Sequence, residues 1–182
     1  SDYEKATDPS INEDTLRNEL LKLINTARKD VGQNSLTLDT KLNTLAEFRS
    51  EDMVKNHYFG HYDLQGKTAN DIKGNFGITN GVAENIAVDL SVLKAHYGLM
   101  LSGSHRSNIL QKDWTKVGLG ISKNSDNLYV VTEIFSGSPL SSEALVSKKT
   151  EVFNFINTEI RKENFLTNSS VLEEIAQNWS KD

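Results

Sequence analysis

The sequence contains no cysteine among its 182 residues, so disulfides, a cysteine nucleophile and cysteine-based zinc sites are excluded. No stretch approaches the roughly 20 consecutive apolar residues of a transmembrane helix. The net charge of −5 argues against a nucleic-acid-binding surface. The length and the mixed composition fit one soluble domain with its own hydrophobic core and an appendage.

Two common catalytic signatures are also missing. The sequence has no His-Glu-x-x-His metalloprotease motif and no Gly-x-Ser-x-Gly nucleophile elbow. Ser102, Ser104 and Ser107 flank a histidine, but residues so close in sequence rarely form a catalytic triad, and capping or turn roles explain them.

Hydrophobic spacing predicts an α+β fold. Apolar residues three and four apart predict helices over residues 11–31, 40–56, 68–73 and 89–101, with a short helical turn over 104–110. Asn12 or Asp14 is the expected cap of the first helix, and Asp39 or Thr40 that of the second. Residues 117–122 and 128–135 predict a β-hairpin, and residues 82–88 a strand or irregular segment.

The two ends of the chain differ from the middle. Residues 1–12 are polar and aperiodic, which predicts a flexible leader. Residues 140–182 predict a helical extension, in which Ile156-Asn157-Thr158 repeats Ile24-Asn25-Thr26. The extension is either a partial repeat of the first two helices or a chance likeness between two amphipathic helix pairs.

Three residues with metal-binding or proton-transfer chemistry lie in distinctive local sequences. His61 lies in YFGHYD (residues 58–63), Glu84 in VAENIA (residues 82–87) and His105 in SGSHRSNIL (residues 102–110). Imidazole and carboxylate groups bind divalent metals or move protons near neutral pH. The three residues form one site only if the fold brings them together.

These segments, taken in order, resemble the CAP superfamily (cysteine-rich secretory proteins, antigen 5, pathogenesis-related 1), and most closely its bacterial, cysteine-free branch. Five blocks carry the resemblance: residues 23–28 with 36–39, 42–53, 58–63, 83–87, and 102–110 with 117–120. The resemblance implies an α-β-α sandwich, with a small antiparallel sheet between helical layers. It places the CAP domain at residues 13–139, followed by the helical extension 140–182.

The resemblance also implies a cleft lined by two histidines and usually two acidic residues. His61, Glu84 and His105 match three of these positions. The helix that would carry the second acid has no carboxylate over residues 97–102, so Glu133 on the neighbouring strand is predicted as the substitute. His61 and His105 are then candidate ligands of zinc or another divalent metal. Alternatives are a metal-free, pH-sensitive cleft, a Glu84 that fixes an imidazole tautomer, or hydrogen bonds that only tie loops together.

The predicted function is ligand or partner binding by an exported or surface-anchored bacterial protein, without catalysis. The expected partner is a small lipid-like molecule or a host or envelope protein, and an N-terminal lipid anchor, as in lipoproteins, is the expected membrane attachment. One alternative is a metal-dependent, peptidase- or esterase-like hydrolase with Glu84 as general base. Another is a host-interaction module whose adhesive element is the extension.

Overall fold

The computed structural model describes residues 12–137 together with Thr150, Phe153 and Asn154. The chain divides into two units, residues 1–138 and 139–182. The predictions of a flexible leader and of a repeated helix pair in residues 140–182 lie outside the described residues, apart from Asn12 and the three residues named. Among the described residues, no helix has the length and apolarity needed to cross a membrane.

The described part alternates helices with four strands. The helices are α1 (Glu13–Asp30), α2 (Thr40–Lys55), α3 (Ala69–Ile72), a 3₁₀ helix (Lys73–Phe76), α4 (Val92–Leu101) and α5 (Gly103–Leu110). The strands are β1 (Thr37–Leu38), β2 (Val82–Asp89), β3 (Trp114–Lys123) and β4 (Tyr129–Gly137). Asn12 caps α1 through a hydrogen bond from Thr15 N at 2.9 Å, and the Asp39 carboxylate caps α2.

The sheet has the order β1-β3-β4-β2. The hairpin β3–β4 and the pair β2–β4 are antiparallel, whereas the short β1 runs parallel to β3. Helices α1, α4 and α5 bury apolar residues against one face, and α2 packs on the other. The structure therefore confirms the predicted α+β sandwich, with one parallel strand added to the antiparallel sheet.

Two glycines bring α2 into direct contact with β3. A Cβ atom on Gly118 would lie 2.0 Å from the Leu42 carbonyl carbon, and one on Gly120 would lie 2.1 Å from the Ala46 carbonyl oxygen. No side chain fits between the helix backbone and the strand at these points. This contact fixes α2 on the sheet, and Arg49 follows Ala46 by one helical turn.

One predicted boundary, near residue 90, is shifted by the extension of a strand. Strand β2 continues to Asp89, so the helix predicted from residue 89 begins only at Val92. The Ser91 hydroxyl caps it by accepting a hydrogen bond from Lys94 N at 3.2 Å. The predicted turn over residues 104–110 is a full helix, α5.

Candidate functional site at the edge of the sheet

The centre of the candidate site is a hydrogen bond between His61 and Glu84. His61 lies in the loop after α2, and Glu84 lies on β2, the outermost strand on its side of the described sheet. His61 Nδ1 is 2.8 Å from Glu84 Oε2; the Glu84 side chain is 7% exposed and that of His61 47%. Because an ionised carboxylate only accepts hydrogen bonds, Nδ1 carries the proton, and Nε2 is the ring nitrogen left for other contacts.

Arg49, on α2, holds the other side of Glu84. Its fully buried Nε donates to Glu84 Oε1 at 2.8 Å. Its terminal nitrogens donate to the Tyr58 hydroxyl at 3.0 Å and to the carbonyls of Gly60 and His61 at 2.9 and 3.0 Å. One guanidinium therefore fixes both the carboxylate and the loop that carries His61.

The charges around Arg49 are well compensated. Burial alone would lower the Arg49 pKa, but the hydrogen bond and charge of Glu84 outweigh it, so the pKa is raised. Tyr58 donates its hydroxyl proton to Asp52, and burial together with this bond raises the Tyr58 pKa to about 12. Asp52, Tyr58, Arg49, Glu84 and His61 thus form one continuous hydrogen-bonded chain.

His105 completes the site from the other side of β2. It lies on α5, and its ring centroid is 6.4 Å from that of His61. The ring is partly buried, and no hydrogen bond joins its nitrogens to the described residues. Burial, with a smaller effect from His61, lowers the His105 pKa. The structure therefore brings together His61, Glu84 and His105, the three residues singled out from the sequence.

Glu133 lies on the opposite face of the sheet from Glu84. Consecutive strand residues point to opposite faces, so Glu84 and Asn85 face opposite sides of the sheet. Asn85 is the register partner of Glu133, and its Nδ2 donates to Glu133 Oε2 and to the His105 carbonyl, each at 3.0 Å. Glu133 is fully buried, and burial raises its pKa to about 7. The predicted second cleft carboxylate is therefore separated from Glu84 by the sheet and supports the His105 backbone through Asn85.

Family comparison agrees with this geometry. The family described as "CAP: Cysteine-rich secretory protein family" matches residues 21–135, which is more than half of the chain. The chain belongs to the CAP family. Its matched segment contains all three residues of the His61–Glu84–His105 site.

A bacterial relative shares the CAP domain. The chain is 34% identical over 106 residues to the uncharacterized protein YkwD of Bacillus subtilis (strain 168), covering 56% of this chain and 40% of that protein. The chain thus spans about two fifths of the length of this relative.

Two solved bacterial structures agree in fold. An outer surface protein from Borrelia burgdorferi superposes with a TM-score of 0.64 at 22% identity, covering 70% of this chain and 96% of that one. An extracellular protein containing a SCP domain from Bacillus anthracis str. Ames gives 0.60 at 24% identity, covering 72% and 45%. At these identities the similarity establishes the fold.

The CAP site does not match a three-ligand metal centre. Catalytic zinc sites take three protein ligands, and the described residues contain no group of three or more His, Asp or Glu whose geometry could hold a metal ion. Both oxygens of Glu84 already have partners, Arg49 and His61. The available donor set is therefore two imidazoles, and metal binding by His61 and His105 remains a sequence prediction.

Proposed function

We propose that this CAP domain is the extracellular binding part of a bacterial protein, and that the cleft formed by His61, Glu84 and His105 takes a lipid-like ligand. The observation that carries the proposal is that both oxygens of Glu84 accept hydrogen bonds, one from Arg49 and one from His61. Glu84 therefore orients an imidazole, as carboxylates do behind histidine ligands. The ring nitrogens left over belong to His61 and His105, and they provide hydrogen bonds to a bound polar group.

The surface beside His61 supports an amphipathic ligand. Phe59 is 53% exposed and Tyr62 67% exposed, so two aromatic side chains of the loop that carries His61 face solvent. Binding sites combine apolar walls with a few placed polar groups. A molecule with a polar head for the imidazoles and a hydrocarbon body for the aromatics matches both features. The names of the two structural neighbours, which describe outer-surface and extracellular proteins, support the proposed location.

The hydrolase alternative fits this geometry less well. A general base must be free to take a proton from the attacking water. Glu84 would first have to leave Arg49 or His61, and Arg49 is itself fully buried. The remaining alternative, a protein partner on the host or the envelope, would use the same exposed aromatics and is an outcome of the experiment below.

Oleate, kept below its micelle concentration, is a direct probe of the lipid-binding proposal. We expect saturable binding by calorimetry, and a loss of about tenfold in affinity for His61→Ala, because a hydrogen bond to a charged group contributes about 1.5–3 kcal/mol. Phe59→Ser should weaken binding several-fold. Leu90→Ser is the matched control, because Leu90 is similarly exposed but lies outside the His61 loop.

Equal affinities in all four proteins, or no binding, would rule out the lipid-like ligand and leave the protein-partner alternative. Ester or peptide turnover that disappears in Glu84→Gln would instead establish the hydrolase.

A further inference from the structure

A second cavity lies apart from the two histidines. It has a volume of about 350 Å³ and is bounded by α2, the 3₁₀ helix and the loop at residues 63–67. The volume is at the small end of the range of ligand pockets, and it would hold about a dozen water molecules. A compact organic molecule with about a dozen non-hydrogen atoms fits this size.

One wall of the cavity is aromatic. Phe48 of α2 and Phe76 of the 3₁₀ helix have ring centroids 5.4 Å apart and planes tilted by 55°, and Ile72 extends the same wall. Phe48 is 44% exposed, so part of its ring faces solvent. A third ring at this wall would gain the edge-to-face contacts that aromatic groups prefer and would cover Phe48.

The rim carries one charge of each sign. Among the described residues that line the cavity, Lys67 supplies the only positive charge and Asp63 the only negative one. Asp63 Oδ1 accepts hydrogen bonds from the backbone N–H groups of Gln65 and Lys67, both at 2.8 Å, whereas Oδ2 has no hydrogen bond to the described residues.

The loop holds these two charges in place. Asp63 N donates to the Lys67 carbonyl at 2.9 Å, which closes the loop between the two residues. The Lys67 ammonium makes no direct hydrogen bond or salt bridge with the described residues, although its charge helps, after the hydrogen bonds from Thr68, to lower the pKa of Asp71. The rim thus offers a fixed acceptor and a cation, and neither charge neutralises the other in a direct contact.

We propose that this cavity binds a free aromatic amino acid. The ring lies against Phe48 and Phe76, the carboxylate faces the Lys67 ammonium, and the α-ammonium faces Asp63 Oδ2. A neutral aromatic compound would leave both charges unpaired, and a compound with one charge would leave one. The proposal does not rest on the function proposed for the His61–Glu84 cleft, although Asp63 and Lys67 lie in the same loop after α2 as His61.

L-Phenylalanine, 3-phenylpropionate and phenethylamine test the proposal as a matched set, because the last two lack the ammonium and the carboxylate respectively. We expect L-phenylalanine to shift the backbone amide signals of Phe48, Phe76 and Lys67 in ¹H–¹⁵N spectra, with a Kd of about 1 mM. Each truncated compound should bind about threefold more weakly, as expected for one partly exposed ion pair.

Two variants test the contributions of Lys67 and Asp63 one at a time. Lys67→Met should weaken L-phenylalanine and 3-phenylpropionate about threefold and leave phenethylamine unchanged. Asp63→Asn should weaken L-phenylalanine and phenethylamine about threefold and leave 3-phenylpropionate unchanged. The amide oxygen of the new side chain still accepts the loop hydrogen bonds. Lys22→Met, an exposed lysine on α1, is the control and should change nothing.

Affinities that do not depend on the charges of the ligand, or variants that weaken all three compounds equally, would overturn the proposal. So would shifts confined to residues 57–62, or no shifts at 20 mM ligand, about twenty times the expected Kd. Because the same spectra report whether each variant is folded, unfolding cannot be mistaken for loss of binding.

Discussion

Arg49→Met is expected to lower the free energy of unfolding by about 3–5 kcal/mol, the usual cost of removing one partner of a buried ion pair. Methionine keeps much of the volume but supplies none of the hydrogen bonds to Glu84, Tyr58 and the loop carbonyls. Glu84 would remain on β2 with its charge compensated only by His61. Urea unfolding followed by circular dichroism measures the loss.

A double-mutant cycle shows whether the loss comes from the ion pair. We expect Glu84→Gln to recover at least about 1 kcal/mol when it is combined with Arg49→Met, because the double variant no longer buries an unpaired carboxylate. Tyr58→Phe in the same background provides a control for the hydroxyl contact. Strictly additive effects of Arg49→Met and Glu84→Gln would contradict the coupling between the two side chains.

Gly120→Ala is expected to destabilise the domain by at least about 3 kcal/mol, at or beyond the usual range for overpacking, because the atom that must yield is backbone. The added Cβ would lie 2.1 Å from the Ala46 carbonyl oxygen, so α2 would have to move away from β3. Arg49 is on the same helix, and its contacts with Glu84 would be lost with that movement. Thermal unfolding measures the effect.

Gly98→Ala is the matched control for the glycine experiment. Gly98 lies inside α4, and a Cβ atom there meets nothing within 4 Å. Since glycine is a poor helix former, alanine should stabilise the domain by about 0.5–1 kcal/mol. Opposite signs at the two glycines are the expected result, and a Gly120→Ala protein as stable as the wild type would show that α2 does not pack on β3 as described.

Periodicity was enough to predict most of the fold, for a physical reason. Helices α1 and α2 each bury one stripe of side chains, and the caps Asn12 and Asp39 were among the expected candidates. Strand β1 has only two residues, which is too short to show a two-residue alternation. The predicted start of α4 was too early because Leu90 lies three residues before Leu93 and so fits a helical spacing, whereas the cap at Ser91 decides the boundary.

The site was predictable only in part. The motifs around His61, Glu84 and His105 indicated those residues, and all three meet in the structure. Arg49 could not be predicted as part of the site, because its partners lie on β2 and in a separate loop. Glu133 was expected to supply the second carboxylate of the cleft, but which face a strand residue occupies depends on the register of β2 against β4, and the sequence does not specify that register.

The central claim is that Glu84 orients His61 and leaves Nε2 for a ligand. The tautomer of the His61 ring tests this claim most directly, and long-range ¹H–¹⁵N spectra of the imidazole report it at a pH at which the ring is neutral. The expected result is an Nδ1-protonated ring in the wild type that loses this preference in Glu84→Ala. A wild-type ring protonated at Nε2, or a tautomer unaffected by Glu84→Ala, would contradict the claim.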